Sequence, residues 1–526
     1  MSLPEMKYGS GIGKSVQVTF GGYEHTAGAG DGAIWDMQNL TGDLYPVLAP
    51  RERRYLTGTL AKPNGLYARD GLYWADGTVF YANGTPVGTV TDGPKSFSSL
   101  GAYIVILPDK AFYNRLTGEF GSIESRWSGA VTIQDGVFAG ENAKANTIYA
   151  AGVDWSGVFR VGDAVRISGC TSHGGNNKTA IVREIDGQWL RFYENAFEIN
   201  EGGDTETVEI AREMPELEYM CENENRLWGC RGSEIYASKL GDIFNWNVFD
   251  GLSTDSYAVT VGSAGDFTGA CSYLGYPCFF KEEHIYKVYG DRPASFQVMG
   301  SASLGTARGA GHSFAIAGEV LYYLSRIGIV AYSGGIPQSI ASDFGTQRFK
   351  NAVGGSDGRK YYVSMEGPEG WELFVYDTQL GLWHREDKSH ALAWGWSGGL
   401  YRLDADGGIW FTGGEPPAGA QAEGDIESFA EFADFTEGSP GKKGTGKLLL
   451  RLELEEGARL TAEMQFDSDG VWREVKTLYA QRKRSVYLPI IPRRSDHFRI
   501  RLSGRGVWRL HSLTRESYTG SELRSV

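Results

Sequence analysis

The residues of this 526-residue chain that could do chemistry are few, and their spacing says what they could hold. The eight histidines are His25, His173, His284, His312, His384, His390, His497 and His511. A metal centre needs three or four ligands converging at short separation, commonly on one motif. No two of these histidines stand at such a spacing with a third ligand close in sequence, and His384 and His390 fall at opposite ends of one turn, so no metal site is expected. "GHSFA" at Gly311 has the wrong order for a nucleophile elbow. "GSGIGKS", Gly9 to Ser15, imitates a phosphate loop but misses the spacing and follows no strand. "DADGG" at Asp404 and "DSDGVW" at Asp467 pair carboxylates two residues apart. Calcium takes about six or more oxygens and usually a distal Glu, so these read as hairpin turns. Cys170, Cys221, Cys230, Cys271 and Cys278 form no CxxC pair. Cys221 and Cys230 could face each other across a hairpin, and the set reads as buried small hydrophobes.

"DSDGVW" also resembles the Asp-box turn of sialidase propellers. A glycosidase would need a carboxylate pair and, for an acidic sugar, an arginine cluster. No carboxylate pair stands out, and the arginines gather near the C-terminal end. The expectation is therefore a protein that is not an enzyme, with no catalytic residues and no cofactor. The residues left over are suited to assembly. "EGDIESFAEFADFTE", from Glu423, spaces Phe429, Phe432 and Phe435 among acids. Arg482, Lys483, Arg484, Arg493 and Arg494 form a basic set downstream. Aromatic anchors and matched charge are what protein interfaces use, the first for affinity and the second for register. The alternative is that the three Phe side chains tuck under the chain's own body.

Elements that could position these residues are almost all strands. Aromatics make up 13% of the chain, and its 73 glycines are roughly twice the usual share, a composition of many strands joined by tight turns. The net charge of -14 argues against a protein that coats DNA. From Lys442 onward 18 basic residues face 10 acidic ones, so the acid excess lies before that point. No leader of the secretory kind and no apolar run of membrane-spanning length are seen.

The strand signals repeat. "GLYARDGLYWADGTVFYANGTPVGTV" from Gly65 joins short aromatic runs by Asp-Gly and Asn-Gly, the preferred two-residue hairpin turns. The design returns from Leu100, Cys221, Tyr273, Ala315, Gly355 and Ala391, in modules of about 30–45 residues. A recurring antiparallel sheet that cannot bury both faces alone predicts a β-propeller. The expected fold is all-β: a degenerate six- or seven-bladed propeller (64–126 and 213–413), an inserted small β-barrel (127–212) and a C-terminal β-sandwich (447–526). Residues 1–63 read as an N-terminal arm with strands, and 414–446 as an acidic linker.

Within this pattern, "ENENRLWGCRGSEIYASKLGDIFNWNVF", "PCFFKEEHIYKVYG" and "SRIGIVAYSGGIPQSI" resemble stretches of phage packaged-DNA stabilisation and tail-nozzle proteins. "PIIPRRSDHFRIRLSG" and "RESYTGSELR" are similar to a terminal module of such proteins from phages of Gram-positive hosts. The resemblance runs from about Leu217 to the end. It implies a virion structural protein of the tail or neck, assembled in the bacterial cytoplasm. Its implied partners are sister subunits in a ring, a hexamer being favoured, other tail or neck proteins, and genomic DNA in passage. A ring lumen that is acidic or neutral is expected with it. The alternative is a receptor- or glycan-binding propeller at the tail tip.

Overall fold

The computed structural model describes residues 12–138, 141–438, 441–491 and 493–518. Its fold is all-β, and the helical elements among these residues are four three-residue 3-10 turns. The chain divides into two compact units: residues 62–67 with 71–311, and residues 1–61, 68–70 and 312–526.

Seven small antiparallel sheets of propeller-blade type follow one another among the described residues. Four belong to the unit ending at Gly311. The first, Pro63–Ala68 through Thr85–Thr89, shows why the sequence folds this way. Tyr73, Ala75 and Phe80 turn inward, and Gly77 takes φ +57 at the Asp-Gly turn between Leu72–Asp76 and Val79–Ala82. Within this unit neighbouring blades share their inner faces. Leu227 packs with Val105 and Phe112 of the second blade, whereas Trp228 and Cys230, on the same strand, pack with Phe279 of the fourth.

Between the second and third blades the chain makes a closed six-stranded barrel over residues 125–212. Its core holds Ile133, Trp155, Phe159, Phe192 and Phe197. The first strand, Ser125–Gly136, pairs with the last, Asp204–Arg212, from Ser125↔Arg212 onward, so the barrel enters and leaves at one point. It is fixed to the third blade: Asn245 Oδ1 accepts from the Ala164 N–H at 2.7 Å, and the Arg160 guanidinium lies 4.3 Å over Phe244.

In the second unit the last blade is completed by the beginning of the chain. Tyr55–Thr59 adds antiparallel to Gly408–Thr412, beside Ala391–Trp396 and Leu400–Asp404. Two further described strands of the N-terminal segment are paired rather than free. Ile12–Gln17 pairs with Trp508–Tyr518, and Ile34–Gln38 pairs with Glu427–Phe432. Both join the C-terminal sheet of eight strands. That sheet is built on Lys443–Phe466, 24 residues long. One flank of this strand carries Phe498–Arg505 and then Trp508–Tyr518, and the other carries Arg473–Leu488. The register shifts between Leu454 and Arg459, where the long strand passes from one half of the sheet to the other. The Trp508 indole N–H reaches Ser428 Oγ at 2.9 Å, and Arg515 lies 4.0 Å over Phe435, so the two halves share a core. The stretch read as an acidic linker thus supplies the strand Glu427–Phe432, and its Glu423 is an ion-pair partner of the N-terminal segment.

Closure of the last blade depends on Gly407. Its φ is +94, a Cβ there would meet the Leu60 carbonyl oxygen at 2.1 Å, and its own carbonyl accepts the Leu60 N–H at 2.9 Å. Gly407→Ala should therefore destabilise this unit by about 2 kcal/mol or more, against about 1 kcal/mol for Gly413→Ala. Gly413 has a similar φ of +76 but open space around it. Calorimetric melting of the two variants, with the larger drop in Tm at Gly407, checks this.

Candidate functional site

A dense set of ionisable side chains forms a buried hub in the second unit. Arg51 and Arg54 come from "RERR", just before the blade strand Tyr55–Thr59. Glu386 and Asp387 follow the strand Leu382–Arg385, Arg402 and Asp404 stand in Leu400–Asp404, and Glu423 follows the short strand Gln421–Ala422. Arg54 pairs with Glu386 and, at 2.5 Å, with Asp387. Arg51 grips Glu423 with both terminal nitrogens, at 2.7 and 2.8 Å. Arg402 pairs with Asp404 at 2.7 Å and donates to Ser389 Oγ at 3.0 Å.

The electrostatics follow from burial and neighbours. Burial pushes the Asp387 carboxyl up, but Arg54, Arg402 and Arg51 outweigh it and hold it well below the carboxylate range. Glu423 is lowered in the same way: burial opposes, and the Arg51 hydrogen bonds prevail. Asp404 goes the other way, because burial exceeds what Arg402 returns. Each carboxylate named has a guanidinium partner inside the chain. The hub ties the N-terminal segment, the turn after the sixth blade, the seventh blade and residue 423 into one body.

Of the residues expected to make assembly contacts, Phe432 and Phe435 are fully buried. Phe432 lies 5.8 Å from Phe435, which stacks on Phe498 at 5.3 Å. Phe429 is half-buried beneath the Arg385 guanidinium. Phe432 is interior to its own chain because Glu427–Phe432 is a strand paired on both sides, by Ile34–Gln38 and Phe498–Arg505, and Phe435 is interior through its bridge to Phe498. The basic set stays outside. Arg482, Lys483 and Arg484 are exposed on Arg473–Leu488, whose one strand partner among the described strands is Lys443–Phe466. Around them Tyr479 is 67% exposed, Tyr487 64% and Ile491 85%. Arg484 Nε donates to Gln481 Oε1 at 2.6 Å. Arg493 lies over Phe466 at 5.2 Å, and Arg494 donates to the Lys442 carbonyl at 3.1 Å.

A group that sequence spacing did not show is Asp467, Asp496 and His497, whose ligand atoms lie within 4.8 Å of one another. It forms because the end of Lys443–Phe466 meets the turn before Phe498–Arg505, 29 residues further on. These three could hold a metal ion, but both imidazole nitrogens already have protein partners. Nδ1 meets Asp496 at 2.5 Å and Nε2 meets Ser468 Oγ at 2.7 Å. Elsewhere the turns are turns: Asp406 Oδ1 accepts the Gly408 N–H at 2.9 Å, and Asp469 Oδ1 accepts that of Val471 at 3.1 Å. Cys221 pairs across its hairpin with Trp228 and Cys230 with Tyr219, so the two thiols do not face each other; all five cysteines are free. Of "GSGIGKS", Ile12 to Ser15 lie in the strand Ile12–Gln17, and Gly9 to Gly11 fall outside the described residues. So do residues 519–524 of "RESYTGSELR".

A second feature is a cleft between the fifth and sixth blades of the same unit, about 180 Å³ in volume. Arg326 and Arg348 stand at it with Gln347, over Ile329, Phe344 and Phe349, and no carboxylate lines it.

No family model matches the chain, and no curated protein matches it. Solved structures do. An exo-β-1,3-galactanase from Phanerochaete chrysosporium matches at 8% identity and TM-score 0.21, over 56% of this chain and 94% of that one. A bifunctional GH43-CE protein of Bacteroides eggerthii matches at 10% and 0.21, over 56% and 61%. The tricorn protease matches at 12% and 0.14, over 84% and 53%. The expectation that this chain is not an enzyme is not retained: glycosidases stand among the matched structures, and likenesses this distant decide neither for nor against an activity. What the chain itself does has to come from its own residues. No helix among the described residues is long and apolar enough to cross a membrane.

Removing Arg54 leaves Glu386 and Asp387 buried beside fewer cations. Arg54→Ala should cost about 3–5 kcal/mol at pH 7, the usual penalty for breaking a buried pair. The sign with pH follows from the directions above. Asp387 and Glu423, held low, add stability above the ordinary carboxylate range of about 4 that is lost as pH falls through their folded values. Asp404, held high, opposes them: its contribution is present at low pH and is lost as pH rises through its folded value. The gap in Tm between wild type and Arg54→Ala should be widest near pH 7 and shrink toward about pH 4, as the stranded carboxylates take up protons. Melting curves across that range check it, and a gap that does not change with pH contradicts it.

Proposed function

We propose that the chain is a structural component of a phage tail or neck, built to associate with further copies of itself in a ring. One observation carries this reading: the exposed basic edge strand Arg473–Leu488. An edge strand 16 residues long is a liability in a monomer, because its unpaired backbone groups invite another chain. Charge along it discourages indiscriminate pairing and favours an acidic partner surface. The chain offers one on itself: the unit ending at Gly311 carries 30 acidic and 19 basic side chains. A basic edge that meets a different, acidic surface of the next copy makes a head-to-tail contact, the kind that closes into rings. The likeness of "NRLW", "FFKEEHIYKVYG" and "GIVAYSGGIP" to phage tail and neck proteins supports the same reading. On it, the protein resides in the virion and DNA passes through the assembly.

A second reading is a glycan-binding propeller at a tail tip. It is favoured by the cleft at Arg326 and Arg348, a concave site with an apolar floor and a few convergent polar groups.

The first reading is tested by light scattering coupled to gel filtration, at low and high salt. The wild-type chain should elute as a closed oligomer at low salt and loosen as salt is raised, since exposed charge is screened. Arg482→Glu, Lys483→Glu and Arg484→Glu combined should give a folded monomer. An oligomer that persists in the triple variant, or a wild-type chain that stays monomeric at high concentration, overturns the reading.

A further inference from the structure

The cleft between the fifth and sixth blades sorts its polarity in a particular way. One wall is the turn between Val320–Ser325 and Gly328–Tyr332, which presents Arg326 and Ile327. The walls approach closely at Gly328, where φ is +124 and a Cβ would meet the Ala341 Cβ at 2.7 Å. The floor is rigid and aromatic. Phe344 packs edge-on against Phe349, Phe374 and Trp383, at 5.4, 4.9 and 4.9 Å.

Two of its polar groups, Arg348 and Gln347, are donors held in place by protein partners. Arg348 Nη1 donates to the carbonyls of Gly345 and Gln347, at 3.1 and 2.8 Å. Among the described residues no carboxylate pairs with Arg348. Gln347 Oε1 accepts from the Tyr23 hydroxyl at 2.9 Å, which commits its oxygen and leaves the amide N–H groups as donors. In a chain of net charge -14, a recess that holds the Arg348 guanidinium and has no carboxylate at its lining is suited to an anion. An apolar cavity of about 150 Å³ accepts a benzene ring, so about 180 Å³ admits one six-membered ring with a substituent.

We infer that this cleft binds an acidic sugar residue, a six-membered ring bearing one carboxylate. The inference rests on the glycan-binding reading and gives it a ligand class. The carboxylate meets the planar fork of Arg348, which matches its two oxygens. Ring hydroxyls take the Gln347 amide donors. The less polar ring face lies on Phe349 and Ile327.

The test uses the full chain and free sugars, followed by calorimetry and by saturation-transfer NMR. Glucuronate and galacturonate should bind with millimolar Kd, while glucose and galactose bind at least tenfold more weakly. Arg348→Ala should weaken uronate binding at least tenfold with Tm unchanged, and Arg348→Lys should fall between, because it keeps the charge and loses the fork. Neutral sugars that bind as well as uronates overturn the carboxylate assignment. Benzoate that binds more tightly than either uronate overturns the sugar assignment. Uronate binding that Arg348→Ala leaves intact removes the site from this cleft while the glycan reading stands. If no sugar of either kind binds, both the inference and that reading fall.

Discussion

The pairing of Tyr55–Thr59 with Gly408–Thr412 is the interaction on which the second unit depends. A blade of three strands, Ala391–Trp396 to Gly408–Thr412, would leave one edge of backbone donors and acceptors open. The fourth strand has to come from a segment about 350 residues earlier in the chain. Bringing it there costs loop-closure entropy, which grows only slowly with length. The return is a completed sheet and, next to it, the charged hub. Arg51 and Arg54 precede the strand directly, so seating the strand also seats the guanidiniums among Glu386, Asp387 and Glu423.

That coupling explains why the hub is so crowded. Arg402 and Arg54 are close enough for each to disfavour the other's charge, and neither would be tolerated without the carboxylates between them. Buried ion pairs add little net stability compared with apolar packing, but they penalise a wrong register severely. A strand recruited from far away is where such a penalty is useful: a slip of one residue would reverse the faces of Tyr55–Thr59 and strand the guanidiniums. The same logic holds in the C-terminal sheet, where Arg515 stacks on Phe435 and pairs with Glu437 at 2.6 Å.

What could be read from the sequence was what is local. Asp-Gly and Asn-Gly between short aromatic runs located the blades, since a two-residue turn and alternating burial are properties of about a dozen neighbouring residues. The barrel is legible in the sequence as 127–212, against an observed 125–212, for the same reason. Long-range recruitment was not legible. Nothing in "GKSVQ" says that it pairs with residues 513–517. Phe429, Phe432 and Phe435 stay ambiguous in sequence, because alternation with acids describes an interface arm and a half-buried strand equally well. Only the partner strands, one from residue 34 and one from residue 498, decide between them. Lys483 and its arginine neighbours could be placed outside because three successive cations have no core to enter. The Arg348 cleft left no mark in sequence, since its guanidinium is held by carbonyls, and any residue supplies those.

The barrel has an architectural meaning beyond its own core. Its first and last strands begin and end as a register pair, Ser125 with Arg212, about 5 Å apart at the Cα atoms. Such a gap is what an ordinary blade-to-blade connection spans. The module is therefore topologically detachable, a cassette whose removal asks little of the backbone around it. Deleting it, or setting another fold at the same place, leaves the blades on either side their sequence order and their faces.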